Sequence, residues 1–206
     1  MQVPLSRKHR DKLAAHFACK PVAVSQSPLA NSLHWLNASH LSASATSAER
    51  TWLFDQESLT RRLTNLSHHR FSVRPLQQGW AVLREDECLA LNVPIDSQGW
   101  VREVYLLGSD EPWVFARSVA ARSALEGSGL DLATLGSRSL GELLFSDNAF
   151  SRGELQACRY PAQWLPTAIR DEQLWARRSC FRREQLAVLV AEVFLPSFWP
   201  HTGSHL

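Results

Sequence analysis

Residues 99–121 read GWVREVYLLGSDEPWVFARSVAA, two runs rich in β-branched and aromatic residues on either side of the turn formers GSDEP. This pattern constrains the chain more than any other, because it predicts an antiparallel hairpin. Antiparallel partners need only short connections, and the chain supplies more of them. LWARRSCFRR and LAVLVAEVFLP are separated by about Glu184–Gln185. Upstream, HRFSVRP and GWAVLRE predict two short strands with Leu76, Gln77 and Gln78 between them. The segment TWLFDQESLTRRLTNL places Trp52, Leu53, Leu59, Leu63 and Leu66 at helical spacings, with Ser58 as N-cap of the second of two short helices. Residues 122–170 read as short helices and loops broken by Gly and Ser, with Ser139 capping LGELLF. The order helices, strands, helices, strands predicts a single α+β domain with an antiparallel sheet. GxGxxG and Walker-type loops are missing from the sequence, which leaves nucleotide binding by those devices without support.

Residues 1–48 differ from the rest of the chain, ending in the Ser/Ala/Thr-rich NASHLSASATSAER, and predict a partly helical or poorly ordered extension. The folded domain is expected over 49–198 and a flexible tail over 199–206. Of the 206 residues, 45% are hydrophobic and 20% charged, a globular balance, and the net charge of +2 gives no electrostatic case for nucleic acid. No stretch approaches the roughly 20 apolar residues of a membrane helix, and the N-terminus lacks the apolar core of a secretory signal. A cytoplasmic protein without a membrane span is therefore expected. Cys19, Cys88, Cys158 and Cys180 form no CxxC, and Cys19 with His16 cannot complete a zinc site, so free thiols and no metal are expected. His68 and His69 are adjacent in sequence, which on a strand sends them to opposite faces.

Strand alternation assigns faces to the remaining charges. Arg102 shares a face with Val104 and Leu106, Arg117 with Trp113, Phe115 and Val119, and Glu192 with Val188, Val190 and Phe194. Three strands thus each carry one ionisable residue among large apolar neighbours. Buried charges must be paired, neutralised or kept near water. An internal Arg–Glu pair, an open solvated face, and a cavity whose charges a ligand completes all satisfy that requirement. Arg177, Arg178, Arg182 and Arg183, interleaved with aromatics, border an anionic pocket or form a solvated strand face.

WVREVYLLGSDEPWVFARSV, LGSRSLGELLF, LWARRSCFRR and LVAEVFLP, with WLFDQESLTRRL more loosely, occur in the order and at spacings that resemble the bacterial chorismate pyruvate-lyase family over roughly residues 50–198. The resemblance implies a sheet of about six antiparallel strands with helical flaps over a buried ligand pocket. It implies a monomer without cofactor or metal that converts chorismate to 4-hydroxybenzoate and pyruvate for ubiquinone synthesis. Carried onto this sequence, it implies that Arg102 binds the ring carboxylate and Glu192 contacts the ring hydroxyl. The backbone near Leu59 and Leu140, at two helix starts, would add hydrogen bonds to the carboxylate. Arg117 would serve the enolpyruvyl end, making Glu192, Arg102 and Arg117 the catalytic set. Whether Glu192 acts as base, neutral donor or orienter stays open. Ala116 stands where familiar members have Gly, and Leu59 where a Met can occur. The alternative is a sensor or carrier domain of the same fold that binds an aromatic acid without turnover.

Overall fold

A computed structural model describes residues 33–41, 45–146, 149–170 and 173–203. Two helices open the main body, α1 (Ser47–Leu53) and α2 (Leu59–Leu66). Thr46 and Glu49 close a capping box on α1, and the Ser58 hydroxyl accepts from the Arg61 amide at the start of α2. Strand β1 (Phe71–Val82) leads into α3 (Glu85–Leu91), and the long hairpin β2 (Gln98–Gly108) and β3 (Glu111–Ala121) follows. After α4 (Arg122–Leu125) and α5 (Leu140–Ser146) come β4 (Ser151–Arg152), β5 (Gln156–Tyr160), β6 (Leu174–Arg183) and β7 (Leu186–Phe194).

The seven described strands form one antiparallel sheet in the order β1-β2-β3-β7-β6-β4, with β5 also pairing β6. Strands β4 and β5 lie end to end along the same edge of β6, so the sheet is six positions wide. This is the expected α+β architecture, reached by details that differ from the sequence pattern. The two strands expected around Leu76–Gln78 are one, because the register shifts between Pro75 and Gln77 and leaves Leu76 as a bulge. Pro75, which has no N–H to donate, is tolerated there because β1 is an edge strand. Helix α3 was not expected; Glu85, Asp86 and Glu87 in its first turn favour it through the helix dipole, and Asn92 ends it in the left-handed conformation. Strands β4 and β5 fall where helix and loop were expected.

The hairpin turn is tighter than GSDEP suggests. Gly108 pairs with Glu111, leaving only Ser109 and Asp110, both at positive φ, as a two-residue turn. The register then slips by one at Trp113, where Leu106 pairs with Val114 but Leu107 with Pro112. Trp113 and Val114 consequently enter the same core cluster, the mark of a bulge. Gly108 makes this possible, since a Cβ there would lie 2.2 Å from the Trp113 ring.

Apolar side chains cover both faces of the sheet. One face packs beneath α1, α2 and α5 through Leu53, Leu59, Leu63, Leu140 and Leu144. The other packs against α3 and the 160–169 segment through Cys88, Leu91, Tyr160 and Leu165. The compact unit begins at Leu33, well before the expected boundary at 49: Leu36 exchanges two 2.8 Å backbone hydrogen bonds with Ala157. Residues 1–32 of the extension expected over 1–48 lie outside the described residues. At the other end, Phe198 is fully buried at the last position of the expected domain, and Trp199–Thr202, within the expected tail, forms a 3₁₀ turn.

Candidate functional site

The sheet register decides which charges meet. Arg102 pairs with Ser118, Ser118 with Val190, and Val190 with Ser179, one row across β2, β3, β7 and β6. In the next row on the same face, Val104 pairs with Ala116, Ala116 with Glu192, and Glu192 with Arg177. Arg102 and Glu192 therefore share a face, two strands and two residues apart, which places their Cα atoms about 12 Å from one another. Leu59 packs into the cluster with Val104 and Ala116, and Leu140 into that with Val190, so both helix starts sit over the same floor.

Arg117 is not there. It pairs across strands with Glu103 and so lies on the reverse face, where its Nε donates to Glu87 at 2.6 Å and its Nη1 to Glu103 at 2.7 Å. The Trp113 bulge thus puts Arg117, expected at the enolpyruvyl end, on the face opposite Arg102 and Glu192. One inserted residue sends every later side chain of β3 to the opposite face. Without it, the two-residue turn would pair Arg117 with Arg102.

The two faces differ in charge balance. On the reverse face Arg84, Arg117 and Arg178 meet Asp86, Glu87 and Glu103, three positive charges against three negative. Burial pushes the Glu87 carboxyl up, but the hydrogen bond from Arg117 and the charge of Arg84 pull it further down, leaving it below the usual range. Burial likewise lowers Arg117, and its two carboxylates more than reverse that. This network completes itself and has the character of a structural one.

The helix-covered face is not balanced. Arg102 is 3% exposed and donates to two neutral acceptors, the Arg138 carbonyl at 3.0 Å and the Gln78 side chain at 3.4 Å. No carboxylate pairs with it among the described residues, and burial alone lowers its pKa. Arg177, also buried, donates Nε to Glu192 Oε2 at 2.6 Å and Nη1 to the carbonyls of Trp52 and Asp55, while its Nη2 has no partner. Leaving such a donor unsatisfied costs about 1–3 kcal/mol. Arg152 donates Nε to Ser179 Oγ at 2.9 Å and Nη1 to the carbonyls of Gln56 and Glu57. Burial first, and the charge of Arg177 second, push its pKa down to about 10. Among the described residues Arg102, Arg152 and Arg177 face one carboxylate, Glu192, and the Arg62–Asp55 pair beside them is neutral, so this cluster carries two uncompensated positive charges.

Val114, Ala120, Val188 and Phe194 on these strands are 0% exposed, whereas Ala116, Ser118 and Val190 between Arg102 and Glu192 keep 6–8% beneath the helices. The two helix starts meet: Thr60 Oγ1 and Ser139 Oγ are 2.7 Å apart, and Ser139 also accepts from the Glu142 amide. The first-turn amides of Leu59 and Leu140 lack intrahelical acceptors by helix geometry. Outside this contact, a groove of about 840 Å³ is lined by Thr60, Arg61, Arg138, Ser139 and Phe145. The arrangement suits an elongated dianion with one end at Arg102. Sequence parity singled out Arg102 and Glu192; Arg177 carried only the signal of an arginine on an apolar strand, and Arg152 carried none.

A family model described as chorismate lyase matches residues 29–204. The chain is 64% identical over 169 residues to a "Probable chorismate pyruvate-lyase" of Pseudomonas aeruginosa (strain UCBPP-PA14), covering 82% of this chain and 94% of that one. It is 60% identical over 174 residues to a "Probable chorismate pyruvate-lyase 2" of Pseudomonas entomophila (strain L48), covering 84% and 94%. A solved C-terminal domain of the histidine utilization repressor from Pseudomonas syringae pv. tomato aligns at a TM-score of 0.46 with 11% identity, over 62% of this chain and 93% of that one.

Proposed function

The chain belongs to the chorismate lyase family, and from that premise we propose that it converts chorismate to 4-hydroxybenzoate and pyruvate, the entry to ubiquinone synthesis, as a cytoplasmic monomer. The observation that carries this reading is Arg102, a buried guanidinium held, among the described residues, only by neutral acceptors. It offers the paired donors that a carboxylate accepts.

In the proposed complex the ring carboxylate lies on Arg102 and on the amides of Leu59 and Leu140. The ring spans Ala116, Ser118 and Val190. Its hydroxyl meets Glu192, whose second oxygen has no partner among the described residues. With Oε2 held by Arg177, Glu192 is presented as an acceptor. The reaction breaks the ether bond between ring carbon and enolpyruvyl oxygen, and that oxygen keeps the electron pair. The neighbouring hydroxyl-bearing carbon loses its proton, and those bonding electrons complete the aromatic ring. The proton and the enolpyruvate combine as pyruvate. Aromatisation supplies the driving force. The protein's task is to fix the dianion, exclude water and stabilise the leaving oxygen, and orientation of this kind is worth up to about 7–11 kcal/mol.

The test is to incubate purified protein with chorismate in metal-free buffer and follow 4-hydroxybenzoate and pyruvate together. Equimolar formation is expected. Binding of 4-hydroxybenzoate without turnover would replace the lyase by a sensor or carrier.

A further inference from the structure

Chorismate carries two carboxylates, and Arg117, expected to serve the second, lies on the face of the sheet opposite Arg102 and Glu192. We propose that Arg152, backed by Arg177, is the receiving site for the enolpyruvyl carboxylate and stabilises the departing enolpyruvate. This assignment rests on the lyase reading.

Three observations carry it. First, Arg152 sits over the covered face: its Nε bonds Ser179, which ends the row that begins at Arg102. Arg102 and Ser179 are thus separated by three strand spacings, about 14 Å between Cα atoms, with Ser118 and Val190 between. A dianion lying along that row has one end at each guanidinium. Second, the partners of Arg152 are neutral, a hydroxyl and the carbonyls of Gln56 and Glu57, and no carboxylate pairs with it among the described residues. Its neighbour Arg177 is 1% exposed and keeps an unpartnered Nη2. The charge sum over the described residues supports the same assignment: once Arg102 has taken the ring carboxylate, Arg152 and Arg177 against Glu192, with Arg62 cancelled by Asp55, leave one positive charge for one more anion. Third, Arg152 holds the carbonyls just before α2, as Arg102 holds the Arg138 carbonyl just before α5. Each covering helix is tied at its start to one of the two arginines, so binding at either end would act on closure.

No atom is transferred to or from Arg152. As the ether bond breaks, negative charge moves onto the enolpyruvyl oxygen, and a guanidinium fixed beside it is worth more than the same group in water.

The discriminating ligand is 4-hydroxybenzoate, which keeps the ring carboxylate and lacks the enolpyruvyl one. In Arg152→Gln, kcat/KM for chorismate is expected to fall about 100-fold or more. The Kd for 4-hydroxybenzoate should stay within about threefold of wild type. Arg152→Lys, which keeps the charge and loses the fork, should recover part of the loss. Parallel losses of turnover and 4-hydroxybenzoate binding would make Arg152 merely structural and overturn the proposal, as would chorismate kinetics unchanged in Arg152→Gln. An inactive wild type would overturn the lyase reading and this assignment with it. An active wild type indifferent to Arg152→Gln overturns this assignment alone. Should Arg152→Gln fail to fold, Arg152→Lys decides by the same comparison, since loss of the fork must lower turnover without touching 4-hydroxybenzoate affinity.

Discussion

Arg102 and Glu192 stand on one face of the sheet, with β3 between their strands and only Ala116, Ser118 and Val190 along the path. Their side chains can therefore grip opposite ends of one ring. Burying Arg102 without a carboxylate destabilises the empty protein, a cost retained where binding needs it.

Replacing Arg102 by Met should separate activity from stability. Turnover of chorismate is expected to fall by about 10²–10³. Thermal unfolding of the ligand-free variant should occur at the wild-type temperature or above it, because a buried unpaired charge has been removed. Kinetics together with a melting curve check both; a variant that is active, or that melts well below wild type, contradicts the role.

Glu192 carries a different signature, because removing it strands Arg177. Glu192→Ala should lose about 3–5 kcal/mol of stability through the uncompensated buried guanidinium. Glu192→Gln keeps a hydrogen-bond acceptor and should lose less. Both should lose turnover by about 10²–10⁴ if the carboxylate takes part in proton movement. Urea titration of both variants beside chorismate kinetics separates these effects, and normal kinetics in Glu192→Gln would reduce the residue to structure.

The architecture was legible because its cues are local. Period-two runs marked β2, β3, β6 and β7, and Ser58 and Ser139 marked the starts of α2 and α5. Parity within a strand was also legible, and it placed Arg102 with Val104 and Glu192 with Val190. Parity between strands was not, because it depends on register. The bulge at Trp113 is one residue, visible in sequence only as a Trp close to a hairpin turn, and it is enough to move Arg117 across the sheet. Arg152 was illegible for another reason: its strand is two residues long and its partners lie 27 and about 95 positions away in the chain. Helix α3 begins three residues after β1 with Arg84, not Ser, Thr, Asp or Asn, as its N-cap, so its acidic first turn and Asn92 were the only edge signals and were read as a continuation of the strand.

The reverse-face network predicts a pH dependence unrelated to the site. The Glu87 carboxyl lies below its ordinary value of 4.5 in the folded state, so the unfolded chain takes up its proton first. Its contribution is complete above pH 4.5 and is lost as pH falls through the depressed folded value. Stability followed by urea unfolding should decline over that acid range, and Glu87→Gln should flatten the decline while leaving chorismate KM near wild type. An unaltered acid profile in that variant contradicts the pairing.

A hydrogen bond between Thr60 and Ser139 joins the starts of α2 and α5, and in the proposed complex it holds them over the ligand. Thr60→Val keeps the shape and removes the bond, a net change of about 0.5–1.5 kcal/mol. Release of 4-hydroxybenzoate, followed by stopped-flow displacement, should become about 2- to 13-fold faster by the same figure. An unchanged release rate would show that these helix starts do not gate the site.

The most direct measurement is a crystal structure of the protein with 4-hydroxybenzoate. The ring should lie enclosed beneath α2 and α5, its carboxylate bidentate on Arg102 and its hydroxyl on Glu192. A ligand bound elsewhere, or one inside whose carboxylate avoids Arg102, would contradict the assignment.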